Sequence, residues 1–174
     1  MHDTDFSKRQ LIKQEAKKLF FRFGLSKTSM DDIARECQLA KPTLYYYFPS
    51  KEAIFNEIVV EEATQFMNSV EKQVPTELGS DDKIILFFRA LYRDLKIYAE
   101  KLTILPSSLY DNYPHGGPIV KKINELLREK LRPLLEEGKR KNILELEDLE
   151  TTLSALILMT DFLNLKWMQY SPEE

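Results

Sequence analysis

Cysteine, histidine and glycine are scarce in this chain: of 174 residues, one is cysteine, two are histidine and five are glycine. A single cysteine, Cys37, rules out an internal disulfide framework and is most simply a small buried side chain in a turn region. The histidines, His2 near the terminus and His115 in a loop, form no HExxH pair, and CxxC, GxSxG and glycine-rich phosphate-loop motifs are all missing. An enzyme needs a nucleophile, base or metal ligands that converge. The glutamates lie mostly on solvated helix faces and none is singled out as a pair. No catalytic residue, cofactor or metal is expected. No apolar run is long enough to cross a bilayer, and no charged start precedes an apolar stretch as in a signal peptide. A soluble cytoplasmic protein with no membrane partner is the expectation. Few glycines and little period-2 alternation also speak against a sheet.

The hydrophobic fraction is 43%, enough to bury a core. The net charge of -3 hides an asymmetry: residues 1–51 hold ten Lys or Arg against six Asp or Glu, and residues 52–174 hold fifteen against twenty-two. The front end is the part a polyanion would meet.

Helical periodicity covers most of the chain. Residues 5–23 place Phe6, Leu11 or Ile12, Ala16, Leu19, Phe20 and Phe23 on one side, and Gly24 stops the run. Ser29 starts a second helix, with Asp32 completing a capping pair and Ile33, Ala34 and Cys37 facing inward. Gln38-Leu39 makes a turn, and Pro42 suits the first turn of a third helix because its missing N–H needs no partner there. Phe48-Pro49-Ser50 ends that helix and caps a fourth, which runs to about Lys72 with Ala53, Ile54, Ile58, Ala63, Phe66, Met67 and Val70 inward. Pro75 and Gly79 interrupt, and a fifth helix follows over about 81–100.

Leu102 to Tyr110 reads as a short helix and 111–118 as a loop. Residues 119–137 form a strong helix, with a kink or local break expected at Pro133. A basic connector, 138–142, leads to a last helix over about 146–170. There Leu149, Leu153, Leu156, Thr160, Leu163 and Trp167 repeat in steps of four and three, while Ile157, Met159, Phe162 and Leu165 broaden the apolar surface beyond one stripe. Such a terminal helix sits either in the middle of a bundle or between its own domain and a second copy.

The third helix carries the clearest chemistry. Leu44 and Phe48, four residues apart, anchor its inner face. Lys41 and Tyr45 share an outer face, and Thr43 and Tyr47 an adjacent one. Lys41 can reach guanine O6 or N7 and Tyr45 can lie along base edges. Thr43, Tyr47 and Lys51 suit phosphate oxygens, and Ser29 or Met30 brings the start of the second helix to the same backbone. Tyr46 is expected to stay partly inside as a brace. The plainer account makes all three tyrosines ordinary half-buried residues, which explains Tyr46 better than Tyr45 or Tyr47.

From Ser29 to Phe55 the chain also resembles the TetR (tetracycline repressor-like) family. The matching elements are Ser29, Asp32-Ile33-Ala34, Thr43-Leu44-Tyr45, Phe48 and Ser50-Lys51-Glu52. The resemblance implies a dimeric transcriptional regulator, usually a repressor, that reads a palindromic double-stranded DNA operator and is released by a small effector. It implies an all-α fold: an amino-terminal three-helix helix-turn-helix head, residues 1–50, joined to a helical-bundle effector-binding and dimerisation domain, residues 51–174. Lys41, Pro42 and Tyr45 become base-edge residues; Thr43, Tyr47 and Lys51 phosphate contacts; Ser29 and Met30 neighbours of the backbone. Three positions depart from the pattern: Gln38 stands at a usual glycine, Ala40 at a usual serine cap, and Asp31 puts a carboxylate where basic residues often face DNA.

For the rear half, the candidate effector-binding residues are Phe66, Met67, Phe87, Phe88, Tyr92, Leu105, Leu109, Tyr110, Tyr113, Met159 and Phe162, a lining that suits an apolar or aromatic ligand. A core-only role is the alternative for each. The candidate homodimerisation residues are Ile123, Leu127 and Leu131 with Leu149, Leu153, Leu156, Thr160, Leu163 and Trp167. Two other functions compete: a DNA-binding activator or accessory regulator with no effector, and a non-DNA interaction protein or small helical enzyme.

Overall fold

The computed structural model describes the backbone of residues 2–102 and 117–169, and the side chains of residues 5–95, 97 and 117–161. The described residues form seven helices: α1 His2–Phe23, α2 Met30–Glu36, α3 Lys41–Tyr47, α4 Lys51–Glu71, α5 Ser80–Leu102, α6 Pro118–Arg140 and α7 Leu149–Gln169. The all-α expectation holds, while the short helix expected at 102–110 lies outside the described residues but for its first position. The described chain divides into two compact units. One holds α1–α3, α4 through Glu62 and the start of α6 through Val120; the other holds the rest of α4–α7. The expected domain line at residue 50 falls at the start of α4, whereas the compact units divide inside that helix.

In the first unit, Ile12, Ala16 and Phe20 of α1 are buried, as are Ile33, Ala34 and Cys37, Leu44 and Phe48, and Ile54, Phe55 and Ile58. Phe20 and Phe55 meet edge to face with ring centroids 5.8 Å apart. The buried stripe of α1 takes Ile12 of the Leu11–Ile12 alternatives and is narrower than expected, since Phe6 and Phe23 are exposed. The steps from 12 to 16 to 20 use four residues each and define the inward line; Phe23 closes the helix and Gly24, at φ 83°, turns the chain away.

The second unit has its own core: Met67 and Val70 of α4, Phe87, Ala90 and Leu91 of α5, Leu127, Leu131 and Leu135 of α6, and Leu153 and Ile157 of α7. Each such large side chain contributes about 1.5–3 kcal/mol by leaving water. α6 runs through Pro133 as one helix, so the break expected there does not occur. α7 starts at Leu149, three residues later than expected, because Asp148 caps it: the Thr151 N–H donates to Asp148 Oδ2 over 2.8 Å.

Candidate nucleic-acid interface

The two short helices are built by local chemistry. At Ser29 the hydroxyl accepts from the Asp32 N–H over 3.2 Å while the Ser29 N–H donates to Asp32 Oδ2 over 3.0 Å, a reciprocal capping box. The Ser29 hydroxyl also donates to Asp32 Oδ2 over 2.5 Å, and this bond, then that from the Ser29 N–H, with Arg35 contributing less, holds the Asp32 carboxyl below its ordinary range. Gln38 takes φ 54°, the left-handed conformation its position demands. Its N–H reaches the Arg35 carbonyl and that of Leu39 the Ala34 carbonyl, at 3.1 and 2.9 Å, which closes α2 in a Schellman turn without glycine. Burial, with smaller contributions from Glu15 and Glu36, pushes the Cys37 thiol up to about 11, so it is protonated at neutral pH. Ala40 occupies the N-cap of α3 with no side-chain bond, and Pro42 lies in the first turn.

α2 packs against both α1 and α3, and α3 is held from below by Leu44 and Phe48, both fully buried. Arg9 fixes its far end. The guanidinium grips Glu57 with two bonds of 3.2 and 2.8 Å, donates to the Tyr47 carbonyl over 2.8 Å, and lies 4.1 Å from the Phe48 ring centre. Two further cross-links tie α1 to α4, Lys13 with Glu61 and Lys17 with Glu62.

The opposite side of α3 faces solvent. Lys41 and Pro42 are exposed and Thr43 is half-buried. Lys41 Nζ lies 2.6 Å from Asp31 Oδ1, and this bond raises the pKa of the lysine. Tyr45 is 45% exposed and Tyr46 77%. Tyr46 is therefore not the expected brace. It stands two residues from both Leu44 and Phe48, about 200° around the helix from each, so it points farthest from the core. Sequence reasoning passed over it although helical periodicity carried the signal. Tyr47 is half-buried, and its hydroxyl donates to Asp5 over 2.7 Å; chiefly for that reason its pKa is pushed up to about 12.

Lys51 also differs from expectation. Its ammonium donates to the carbonyls of Leu25, Thr28 and Ser26 at 2.8, 2.9 and 3.3 Å. It staples the turn between α1 and α2, and its donors are occupied there instead of being free for phosphate. Met30 is buried, so only its backbone can meet a ligand, and the Ser29 hydroxyl is committed to its cap.

Residues 12–58, which hold α2, α3 and the adjoining parts of α1 and α4, match the family model for bacterial regulatory proteins of the tetR family. That segment, the front of the chain, is similar to the amino-terminal domain of the TetR family. Among proteins similar to it, the HTH-type transcriptional regulator YhgD of Bacillus subtilis (strain 168) is 22% identical over 172 residues, covering 95% of this chain and 86% of YhgD. Among solved structures, the flavonoid-responsive regulator FrrA superposes with a TM-score of 0.63 at 27% identity, covering 85% of this chain and 76% of FrrA. Thermus thermophilus FadR, a TetR-family transcriptional repressor solved with lauroyl-CoA, gives a TM-score of 0.72 at 19% identity, covering 95% and 86%. These similar proteins are transcriptional regulators. Among the described residues, no group of His, Cys, Asp and Glu is arranged to hold a metal, and no helix is long and apolar enough to cross a membrane.

In the rear unit, Met67 and Phe87 are core residues, with Phe66 and Phe88 packed against that core. Phe88 stacks on Tyr92 with centroids 6.2 Å apart. Met159 is 60% exposed on the outer side of α7, away from any interior lining. Leu105, Leu109, Tyr110 and Tyr113 lie outside the described residues, as do the side chains of Phe162, Leu163 and Trp167. Of the expected dimer residues, Leu127, Leu131 and Leu153 are buried in the unit's own core and Thr160 is buried with its hydroxyl on the Leu156 carbonyl. They hold the protomer together and are not open to a partner. Ile123 is half-buried, as are Leu149 and Leu156, which pack on the core. Among the described side chains of α7, the large apolar ones that are exposed are Leu158 and Met159.

Proposed function

We propose that this protein is a TetR-family repressor that binds a palindromic operator as a homodimer, with α3 in the major groove, and releases it on binding a small apolar or aromatic effector. One observation carries the reading: α3 buries Leu44 and Phe48 and turns Lys41, Pro42, Tyr45 and Tyr46 outward, so a seven-residue helix braced from three sides presents a face with no use inside the protein. Lys41, Pro42 and Tyr45 then meet base edges, joined by Tyr46. Thr43 and Tyr47 meet phosphates, with Ser29 and Met30 beside the backbone at the start of α2. Lys51 serves by shaping the turn.

Residues 1–50 form the DNA-binding domain and 51–174 the effector and dimer domain in this scheme, and work at DNA puts the protein in the cytoplasm. Exposed Leu158 and Met159 extend the partner face beyond the half-buried Ile123, Leu149 and Leu156. Two such heads must present their α3 helices about 34–36 Å apart to enter successive grooves on one side of the duplex. α4 carries residues of both compact units, so an effector that favours a different α4 orientation shifts this spacing. The effector class is supported by analogy with FadR, solved with lauroyl-CoA, and the flavonoid-responsive FrrA.

Selection from random duplexes tests the proposal. The expected product is an inverted repeat bound by two protomers, and loss of that binding on adding an acyl-CoA or a flavonoid. Enrichment of no sequence would refute the DNA-binding reading; binding that neither ligand weakens would count against these effector classes.

A further inference from the structure

Asp31 is not among the residues given a role above, and it is an odd neighbour for a DNA surface. Its carboxylate lies in the first turn of α2, more than half exposed, with Oδ1 2.6 Å from the ammonium of Lys41 at the start of α3. The contact joins the two helices of the reading head and sets an acceptor beside a donor. A carboxylate there repels phosphates, so it weakens binding to DNA in general. It gains only where the duplex offers a hydrogen-bond donor.

We infer that Asp31 and Lys41 act together as a specificity-determining pair that reads one guanine–cytosine base pair in each half-site. The inference rests on α3 entering the major groove. On the groove edge of a G·C pair, guanine N7 and O6 accept and the cytosine N4 amino group donates. O6 and N4 hydrogen-bond to each other, so they sit about 2.7–3.2 Å apart, close to the separation of the two protein atoms. The ammonium has three donors. One stays on Asp31 while the others reach O6 and N7, and the carboxylate accepts from N4. An A·T pair also sets an amino group beside an oxygen, but the thymine oxygen is flanked by a methyl group instead of a second acceptor. The ammonium would lose a bond and meet an apolar group. The pair is solvent-exposed and weakly held by itself, so it can reorient onto the base edges without loss of the fold.

The test is duplex selection with the wild type and with Asp31→Ala, followed by affinity measurements on the winning operator. At one position per half-site the wild type should require G·C, with about a 10- to 100-fold loss on changing it to A·T. Asp31→Ala should reduce that preference to a few-fold at that position only. It should also bind unrelated duplex more tightly, with a steeper salt dependence of about 0.9 per head as Lys41 becomes free for phosphate. Lys41→Met should lose the same preference without that gain. An Asp31→Ala profile unchanged at every position, or an A·T requirement where it does change, would overturn the inference alone. If the wild type selects no duplex, the inference falls together with the DNA-binding reading. Melting curves of each variant confirm that folded protein is compared.

Discussion

Replacing Lys51 by methionine separates a structural lysine from a phosphate-binding one. Methionine keeps much of the apolar stem and removes only the ammonium, which donates to the carbonyls of Leu25, Ser26 and Thr28. A net hydrogen bond from a charged donor is worth about 1.5–3 kcal/mol when buried. Lys51 is half-buried and three bonds share one ammonium, and solvent screening lowers the value further. A total near 2 kcal/mol follows, which for a chain of this length lowers the melting temperature by about 4–8 °C. The assay is thermal unfolding beside DNA titration from about 50 to 200 mM salt. The expected result is a lower melting temperature and weaker binding, with an unchanged salt slope, because α2 is displaced while no lysine or arginine is taken from a phosphate. Unaltered melting, together with a slope reduced by about one unit per head, would refute the reasoning and return Lys51 to the phosphate backbone.

Arg9→Ala removes the fork on Glu57, the bond to the Tyr47 carbonyl and the stacking on Phe48; a loss of about 2 kcal/mol is expected by chemical denaturation, and Arg9→Lys should recover less than half because an ammonium has no planar fork. Gln38→Gly should stabilise the chain by about 0.5–1 kcal/mol, since glycine takes the left-handed turn without the side-chain cost; an equal or lower denaturation midpoint would contradict this. The Asp32 carboxyl is held below its ordinary range in the folded state, so its contribution is present above about pH 4 and is lost as pH falls through the depressed value. Ser29→Ala should therefore flatten the acid limb of the stability curve while lowering stability at pH 7. Cys37, buried and held protonated, should resist a thiol reagent at pH 8 until the protein unfolds.

Much of the head was legible because its determinants are local. The Ser29–Asp32 box, the turn at Gln38, the missing side-chain cap at Ala40 and the Leu44–Phe48 anchor all involve residues within four positions of each other, and each appears as expected. Tyr46 was misplaced although the same periodicity places it outward. Lys51 could not be read, because its partners lie 23 to 26 residues away and depend on how α4 meets the turn. The rear shows a different limit. An apolar repeat such as Leu149, Leu153 and Leu156 says that a helix has a buried stripe, but a protomer's own core and a partner's surface demand the same residue types. Burial of Leu127, Leu131 and Leu153 within one chain decides between them and leaves Leu158 and Met159 exposed among the described side chains of α7.

The most direct test of the central claim is hydroxyl-radical footprinting of the wild-type protein on its selected operator. Two protected patches on one face of the duplex, centred about 10–10.5 base pairs or a multiple apart and both lost in Tyr45→Ala protein that still melts normally, are the predicted result. A single protected patch, or protection that survives the loss of Tyr45 unchanged, would contradict a paired head reading the groove through α3.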